Sequence, residues 1–84
     1  MEYKVLIILF VPEIEREFEI YIPVNKSIYH VSKLLNSLVN EMMFGNFPIK
    51  ERIHLYNRRS GVEYKGEELV RYTDIRNGTQ LVLF

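Results

Sequence analysis

The chain of 84 residues is long enough for one small domain, and its 48% hydrophobic content can supply a core. It contains no cysteine, which excludes disulfide bonds, thiolate metal sites and thiol chemistry. Eleven basic and eleven acidic residues cancel to a formal net charge of zero, so charge gives no reason to expect a nucleic acid or an anionic membrane as partner.

The first quarter of the sequence predicts an antiparallel β-hairpin. Residues 3–10 are apolar and β-branched with one charge, as in a strand covered on both faces. The apolar run from Val5 to Val11 is not expected to be a signal-peptide core, because it is only seven residues long, no small-residue cleavage site follows it and it leads directly into Pro12. No stretch approaches the length of a membrane span. From residue 14 to residue 22, apolar and acidic side chains alternate, so one face of the second strand is expected to be buried.

Residues 27–45 contain the one convincing amphipathic helix. Apolar residues recur there every three or four positions, which is the period of one helix face. Ser27 is the predicted N-cap, and Gly45 is the predicted left-handed residue after the helix. The opposite, polar face is expected to meet water and consists of Lys33, Asn36, Ser37, Asn40 and Glu41.

The remaining sequence predicts three strands joined by turns. Residues 52–56 alternate, residues 57–61 have turn composition, and residues 62–64 form a short returning strand. Residues 79–84 close the chain as a strand, with Leu81 and Leu83 on one face. The segment between the last two strands has no sustained period, and three of its residues are expected to attach it to the core: Leu69, Tyr72 and Ile75.

The order of these elements predicts the α+β class. If the last strand lies parallel to the first and beside it, the helix can cross one sheet face with right-handed connections. We therefore expect a single domain over residues 1–84 with the β-grasp arrangement: a mixed sheet of four or five strands and one helix packed across one face. The glutamate-rich second strand then lies at an edge, where charge discourages aggregation.

Hairpin residues 3–22, the helix opening from Ser27 to Leu35 and the ending from Asn77 to Phe84 together resemble the ubiquitin-like (β-grasp) superfamily. The chain is most similar to the small bacterial YukD/EsaB-type proteins, through a proline after strand two, a helix rich in Leu and Val, and an Ile-x-x-Gly-x-x-Leu ending. This resemblance implies a non-catalytic, cytoplasmic accessory of a type VII (Esx/WXG-motif) secretion system. The sequence has no diglycine tail after Phe84, so we expect neither a conjugated modifier, a sulfur carrier nor a cleaved precursor.

No group of residues predicts an enzyme. His30 and His54 fall at a helix start and at an outward strand position, where ordinary surface or interface roles are expected. Four glutamates between residues 13 and 19 fall on one solvated side of a strand, without the histidine or aspartate that a metal site would favour. The glycines are isolated turn residues and form no phosphate loop. We predict no catalytic residue, no cofactor and no metal.

The sheet face opposite the helix is the predicted binding surface. Aromatic and aliphatic side chains from neighbouring strands would form a patch there, as in protein interfaces, with a charged rim of Glu17, Glu19, Lys4 and Arg52. The partner is expected to be a secretion-system component or a second copy of the chain, unless residues 65–77 fold over the patch. The predicted interface residues are Leu6, Ile8, Phe10, Tyr21, His54, Tyr56, Val82 and Phe84.

An alternative function is a small nucleic-acid-binding domain. Arg52, Arg58 and Arg59 could contact phosphates while the outward aromatic rings stack on bases. The zero net charge argues against this alternative.

Overall fold

The computed structural model describes residues 3–84, which form a four-stranded mixed sheet with one helix. The sheet order is β2-β1-β4-β3. β1 pairs with β4 in parallel and with β2 antiparallel, and β3 pairs with β4 antiparallel. The predicted α+β, β-grasp arrangement is confirmed. Its elements are β1 (Lys4–Val11), β2 (Arg16–Pro23), α1 (Ile28–Met42), β3 (Leu55–Asn57) and β4 (Gln80–Leu83).

The hairpin turn shortens the second strand at its start. Residues Pro12–Ile14 form a 3₁₀ turn in which the Glu15 amide donates to the Pro12 carbonyl at 3.1 Å. Proline fixes a φ that suits the first position of such a turn. The alternation predicts that the second strand begins at Ile14. Because of the turn, β2 begins at Arg16. The two strands pair without interruption, from Lys4 opposite Pro23 to Val11 opposite Arg16.

The helix has the predicted start and a more strained end than predicted. The Ser27 hydroxyl accepts a hydrogen bond from the His30 amide at 3.1 Å, which confirms the N-cap. Gly45 has φ of 82° and its amide donates to the Asn40 carbonyl at 2.8 Å, as expected after a helix. Phe44 also has a positive φ, of 55°, which is costly for a residue with a β-carbon.

The polar face of the helix is predicted to meet water, but one of its residues, Asn36, is buried. Its amide nitrogen donates to the Pro48 carbonyl at 2.9 Å, and its Oδ1 accepts from the Lys50 amide at 2.8 Å. Asn40 is half-buried and donates to the Phe47 carbonyl. The helix thus binds the chain that leads to β3 through side-chain amides, which replace the water predicted at these positions.

The core lies between the helix and one face of the sheet. Val70 and Phe47 are buried there, although no period marked them, and Ile75 is buried as predicted. Tyr72 is 75% exposed, so its predicted core role is wrong: the 3₁₀ turn Val70–Tyr72 directs Val70 inward instead. The fully buried side chains come from every main element and include Ile7, Leu9, Val11, Ile22, Val31, Leu35, Val39, Leu55, Leu81 and Leu83.

The third strand is shorter than predicted, and the short strand predicted at 62–64 does not form. Residues 51 and 52 form a bend and β3 begins at Leu55, although His54 and Phe84 exchange two backbone hydrogen bonds of 2.9 Å just before that start. Residues 62–64 make only a single bridge, between Glu63 and Tyr56. Residues 66–71 bond to the backbone of residues 24–29, so this part of the 65–77 segment lies beside the start of the helix.

Candidate functional site

The strand pattern of β1 separates a core face from a second, partly open face. Val5, Ile7, Leu9 and Val11 are buried, while the side chains between them are half-buried. Because side chains alternate along a strand, these intermediate residues point away from the helix. We use "open face" for the eight predicted residues on this side, which the structure brings together from adjacent strands: Leu6, Ile8, Phe10, Tyr21, His54, Tyr56, Val82 and Phe84.

The register explains why these residues adjoin. Phe10 lies opposite Val82 in the parallel pair, and Val82 lies opposite Tyr56 in the antiparallel pair. Leu6 lies opposite Tyr21 on the other side of β1. One apolar row therefore crosses β1, β4 and β3. A second row begins with Tyr21 on the edge strand β2 and continues to Leu6 on β1.

Aromatic rings dominate one end of the open face. The Tyr56 and Phe84 ring centroids are 5.7 Å apart at an interplanar angle of 88°, an edge-to-face contact that matches positive ring edge to negative ring face. The His54 ring lies 6.3 Å from Tyr56. Phe84 is 47% exposed and Tyr21 is 63% exposed, so both rings expose apolar surface to solvent.

Arg58 crosses the open face, a role that the sequence analysis did not assign. Its amide donates to the Gln80 carbonyl at 2.9 Å, which extends the β3–β4 pairing past Asn57. From there the guanidinium lies over the Phe10 ring, 4.2 Å from the centroid, and forms an ion pair with Glu17 on β2. The signal that could have located it is spacing: Arg58 lies two residues after Tyr56, on the same side of the strand.

A contact between His54 and Glu63 bounds the aromatic end. His54 Nδ1 and the Glu63 carboxylate lie 2.6 Å apart, and both side chains are nearly half exposed. Glu63 is held there by its bridge to Tyr56. Of the predicted rim residues, Lys4, Glu17, Glu19 and Arg52 are all exposed. The open face therefore has charge at both edges and apolar groups between them.

A polar network fixes the turn beyond β3. The Tyr64 hydroxyl donates to Asp74 at 2.6 Å and accepts from the Asn57 side-chain amide at 3.0 Å. Burial, followed by the hydrogen bond to Asp74, raises the pKa of Tyr64 from 10.0 to about 12. The network joins residues 57–64 to the segment before β4 and so supports the strand end that carries Arg58.

The chemistry available at the open face is recognition by contact. Its groups are aliphatic or aromatic, or belong to the Arg58–Glu17 ion pair or to the His54–Glu63 contact. Across residues 3–84, no three histidine, aspartate or glutamate side chains come together as potential metal ligands. Within the same residues, α1 is too short and too polar to cross a membrane.

No family model matches the sequence, and the search of curated proteins finds no match. Solved structures share its fold. A chain of the MycP5-free ESX-5 inner membrane complex superposes with a TM-score of 0.81 at 16% identity, over 99% of this chain and 21% of that chain. The EccD5 ubiquitin-like domain from Mycobacterium xenopi superposes with a TM-score of 0.80 at 12% identity, over 99% of this chain and 94% of that one.

A third similar structure comes from a plant protein. The ubiquitin-like domain of an Arabidopsis thaliana protein has a TM-score of 0.67 at 19% identity, over 99% of this chain and 78% of that chain. The present chain spans about a fifth of the length of the ESX-5 chain and nearly all of the isolated EccD5 domain. At these identities the likeness concerns the fold, and the chain has a ubiquitin-like fold.

Proposed function

We propose that this chain is a non-catalytic protein-binding module and that the open face is its contact surface. The observation that carries the proposal is the continuous row from Phe10 through Val82 to Tyr56, which continues into the exposed ring of Phe84. Small proteins seldom leave an apolar patch of this kind in water without a use. Aromatic residues within a charged rim are also the groups that contribute most to protein interfaces.

The proposed partner is a component of a type VII secretion apparatus. The similarity to a chain of the ESX-5 inner membrane complex and to the EccD5 domain supports this assignment. The resemblance of the sequence to YukD/EsaB-type proteins also supports a type VII secretion partner. In this proposal the chain acts in the bacterial cytoplasm as an accessory of the apparatus and carries out no reaction.

The charges of the open face disfavour the nucleic-acid alternative. Arg58, which would have to contact a phosphate, already pairs with Glu17 and lies over the Phe10 ring. Glu19 and Glu63 add negative charge at the two edges of the same face. A phosphate backbone approaching the aromatic rings would meet these carboxylates, which oppose the electrostatic attraction that nucleic-acid binding requires.

The proposal can be tested with purified components of a type VII system encoded in the same genome. Calorimetry would measure binding of the wild-type chain and of Phe84→Lys to the soluble domains of the secretion ATPase and of the membrane components. Because Phe84 is exposed, lysine can replace it without opening the core. We expect Phe84→Lys to weaken binding about tenfold or more, the loss typical of a buried anchor.

The matched control is Ile49→Lys, which places the same charge on a 62% exposed isoleucine in the loop bound to Asn36, on the helix side. We expect this variant to bind as the wild type does. Equal losses in both variants, or no loss in either, would contradict the open face as the contact surface. A wild-type chain that binds none of these components, or that forms a dimer sensitive to Phe84→Lys in light scattering, would contradict a secretion partner.

A further inference from the structure

We propose that Asn77 is a deamidation site whose reaction the folded chain suppresses through hydrogen bonds to the backbone of Leu6. Among the six asparagines of the sequence, Asn77 is the one followed by glycine. Asparagine is a labile side chain, and a following glycine places no side chain in the path of its reaction. Asn77 and Gly78 are exposed, and within residues 3–84 no neighbouring atom lies within 4 Å of the point where a β-carbon on Gly78 would be.

The reaction joins the Gly78 amide nitrogen to the side-chain carbon of Asn77. The nitrogen loses its proton and attacks Cγ of Asn77, a bond forms between these two atoms, and the side-chain nitrogen takes up a proton and leaves as ammonia. Water from the solvent then adds to either carbonyl of the resulting succinimide ring and opens it. The products are aspartate and isoaspartate, and in isoaspartate the main chain passes through the former side chain.

Both reacting groups are bound to one residue of β1. The Gly78 amide donates to the Leu6 carbonyl at 2.8 Å, and Asn77 Oδ1 accepts from the Leu6 amide at 2.8 Å. The first bond holds the proton that the nitrogen has to lose, and the second fixes the Asn77 side chain against β1. Ring closure requires the Gly78 nitrogen to release its proton and approach Cγ, so these hydrogen bonds have to open before the reaction can begin.

The Asn77 side chain takes the place of a backbone carbonyl in the parallel pairing of β1 with β4. Within that pairing, the Ile8 amide donates to the Thr79 carbonyl at 3.0 Å. Two residues earlier in both strands, the same ladder would run from the Leu6 amide to the Asn77 carbonyl, and Asn77 Oδ1 accepts this bond instead. The contact between Leu6 and Asn77 therefore extends the pairing of the first and last strands by a further step.

The turn over residues 76–79 holds Asn77 and Gly78 in this position. The Thr79 amide donates to the Arg76 carbonyl at 3.0 Å, and the Arg76 amide donates to Thr79 Oγ1 at 2.8 Å. Gly78 has φ of 87°, which a residue with a β-carbon adopts only at a cost. The Thr79 hydroxyl is thus a side-chain contact of the turn that can be removed while Leu6, Asn77 and Gly78 stay unchanged.

The two products leave different parts of the contact intact. Aspartate keeps an oxygen at the position of Asn77 Oδ1, so the Leu6 amide keeps its acceptor. Isoaspartate adds a methylene to the main chain immediately before Gly78, so the turn and the pairing of β1 with β4 no longer fit the same length of chain. Opening of the contact exposes the chain to an irreversible change, and the lifetime of the folded protein then depends on how often the contact opens.

Mass spectrometry of the full chain tests the proposal. Samples would be incubated in mildly alkaline buffer, one set folded and one set unfolded in urea, and peptide mapping would measure deamidation at each asparagine. In urea we expect Asn77 to react first, well ahead of Asn57, which precedes the bulky Arg58. In the folded chain we expect Asn77 to react about tenfold or more slowly than in urea, because it reacts only from the open state.

Two threonines provide matched variants. Thr79→Ala removes the acceptor of the Arg76 amide and should raise the rate at Asn77 in the folded chain about fivefold, as for the loss of one hydrogen bond, whereas Thr79→Ser should keep the wild-type rate. Thr73→Ala removes the acceptor of the Ile75 amide in the preceding turn and should leave the rate at Asn77 unchanged.

The separated products give a second readout. The isoaspartate form should unfold at a lower urea concentration than the aspartate form, because only isoaspartate lengthens the main chain beside β4. Equal midpoints for the two forms, equal rates at Asn77 in the folded and unfolded chains, faster reaction at another asparagine in urea, or equal acceleration by Thr79→Ala and Thr73→Ala would each overturn the proposal.

Discussion

Arg58 lies over the ring of Phe10, with Cζ 4.2 Å from the ring centroid, and the same guanidinium pairs with Glu17. This contact connects the end of β3 to β2, across β4 and β1. It covers the middle of the open face and leaves the Tyr56–Phe84 contact uncovered at one end. A single long side chain therefore reduces the apolar surface that the open face exposes to solvent.

Replacing Arg58 with alanine should lower the free energy of unfolding by about 1 kcal/mol. The variant loses a cation–π contact worth about 0.5–1 kcal/mol at an exposed site and a surface ion pair worth about 0–1 kcal/mol. Urea denaturation would measure the change. Arg59→Ala is the control, because this neighbouring arginine forms no ion pair within residues 3–84. Similar losses in the two variants would show that the contact with Phe10 contributes nothing.

Asn36→Ala should destabilise the chain by about 2–4 kcal/mol. The substitution removes one donor and one acceptor from a side chain that is 1% exposed, and it leaves the Pro48 carbonyl and the Lys50 amide without partners. The free energy of unfolding from urea denaturation would test this. Ser37→Ala, at the next, exposed position of the helix, should change it by less than about 0.5 kcal/mol. A small effect at Asn36 would mean that water replaces both bonds.

Phe44→Gly should stabilise the chain by about 1 kcal/mol. Phe44 has φ of 55° and is 92% exposed, so glycine relieves the left-handed strain while little burial is lost. For a domain of this size the melting temperature should rise by roughly 4–8 °C per kcal/mol. Thermal unfolding followed by circular dichroism measures the shift. A lower melting temperature would indicate that the Phe44 ring contributes packing energy despite its exposure.

Tyr64 should titrate later than an ordinary tyrosine, because burial and the hydrogen bond to Asp74 raise its pKa to about 12. Since the folded pKa exceeds the unfolded value of 10.0, the neutral phenol stabilises the folded chain below pH 10, and this contribution is lost as pH rises toward 12. The difference in phenolate absorbance between the wild type and Tyr64→Phe isolates this one group. A difference midpoint near pH 10 would contradict the network.

Alternation in the sequence predicts the position of most open-face residues. It does not predict that the Arg58 side chain covers Phe10. Period two placed Leu6, Ile8 and Phe10 on one side of β1, and the structure agrees. Alternation places Arg58 on the same side as Tyr56, but no local pattern shows that its side chain reaches across β4 and β1 to Glu17. Glu63 was likewise missed as the partner of His54, since a single bridge outside the regular strands brings the two together.

The sequence by itself determined the hairpin, the helix and the sheet arrangement, because burial of apolar side chains imposes a period of two on strands and of 3.6 on a helix. It also marked the Ser27 cap, since a local hydrogen bond needs only the right residue at the right place. Only the tertiary structure decided that Asn36 is buried, that Tyr72 is exposed and that Arg58 covers Phe10. Each of these depends on contacts between residues distant in the chain, whose geometry no local pattern records.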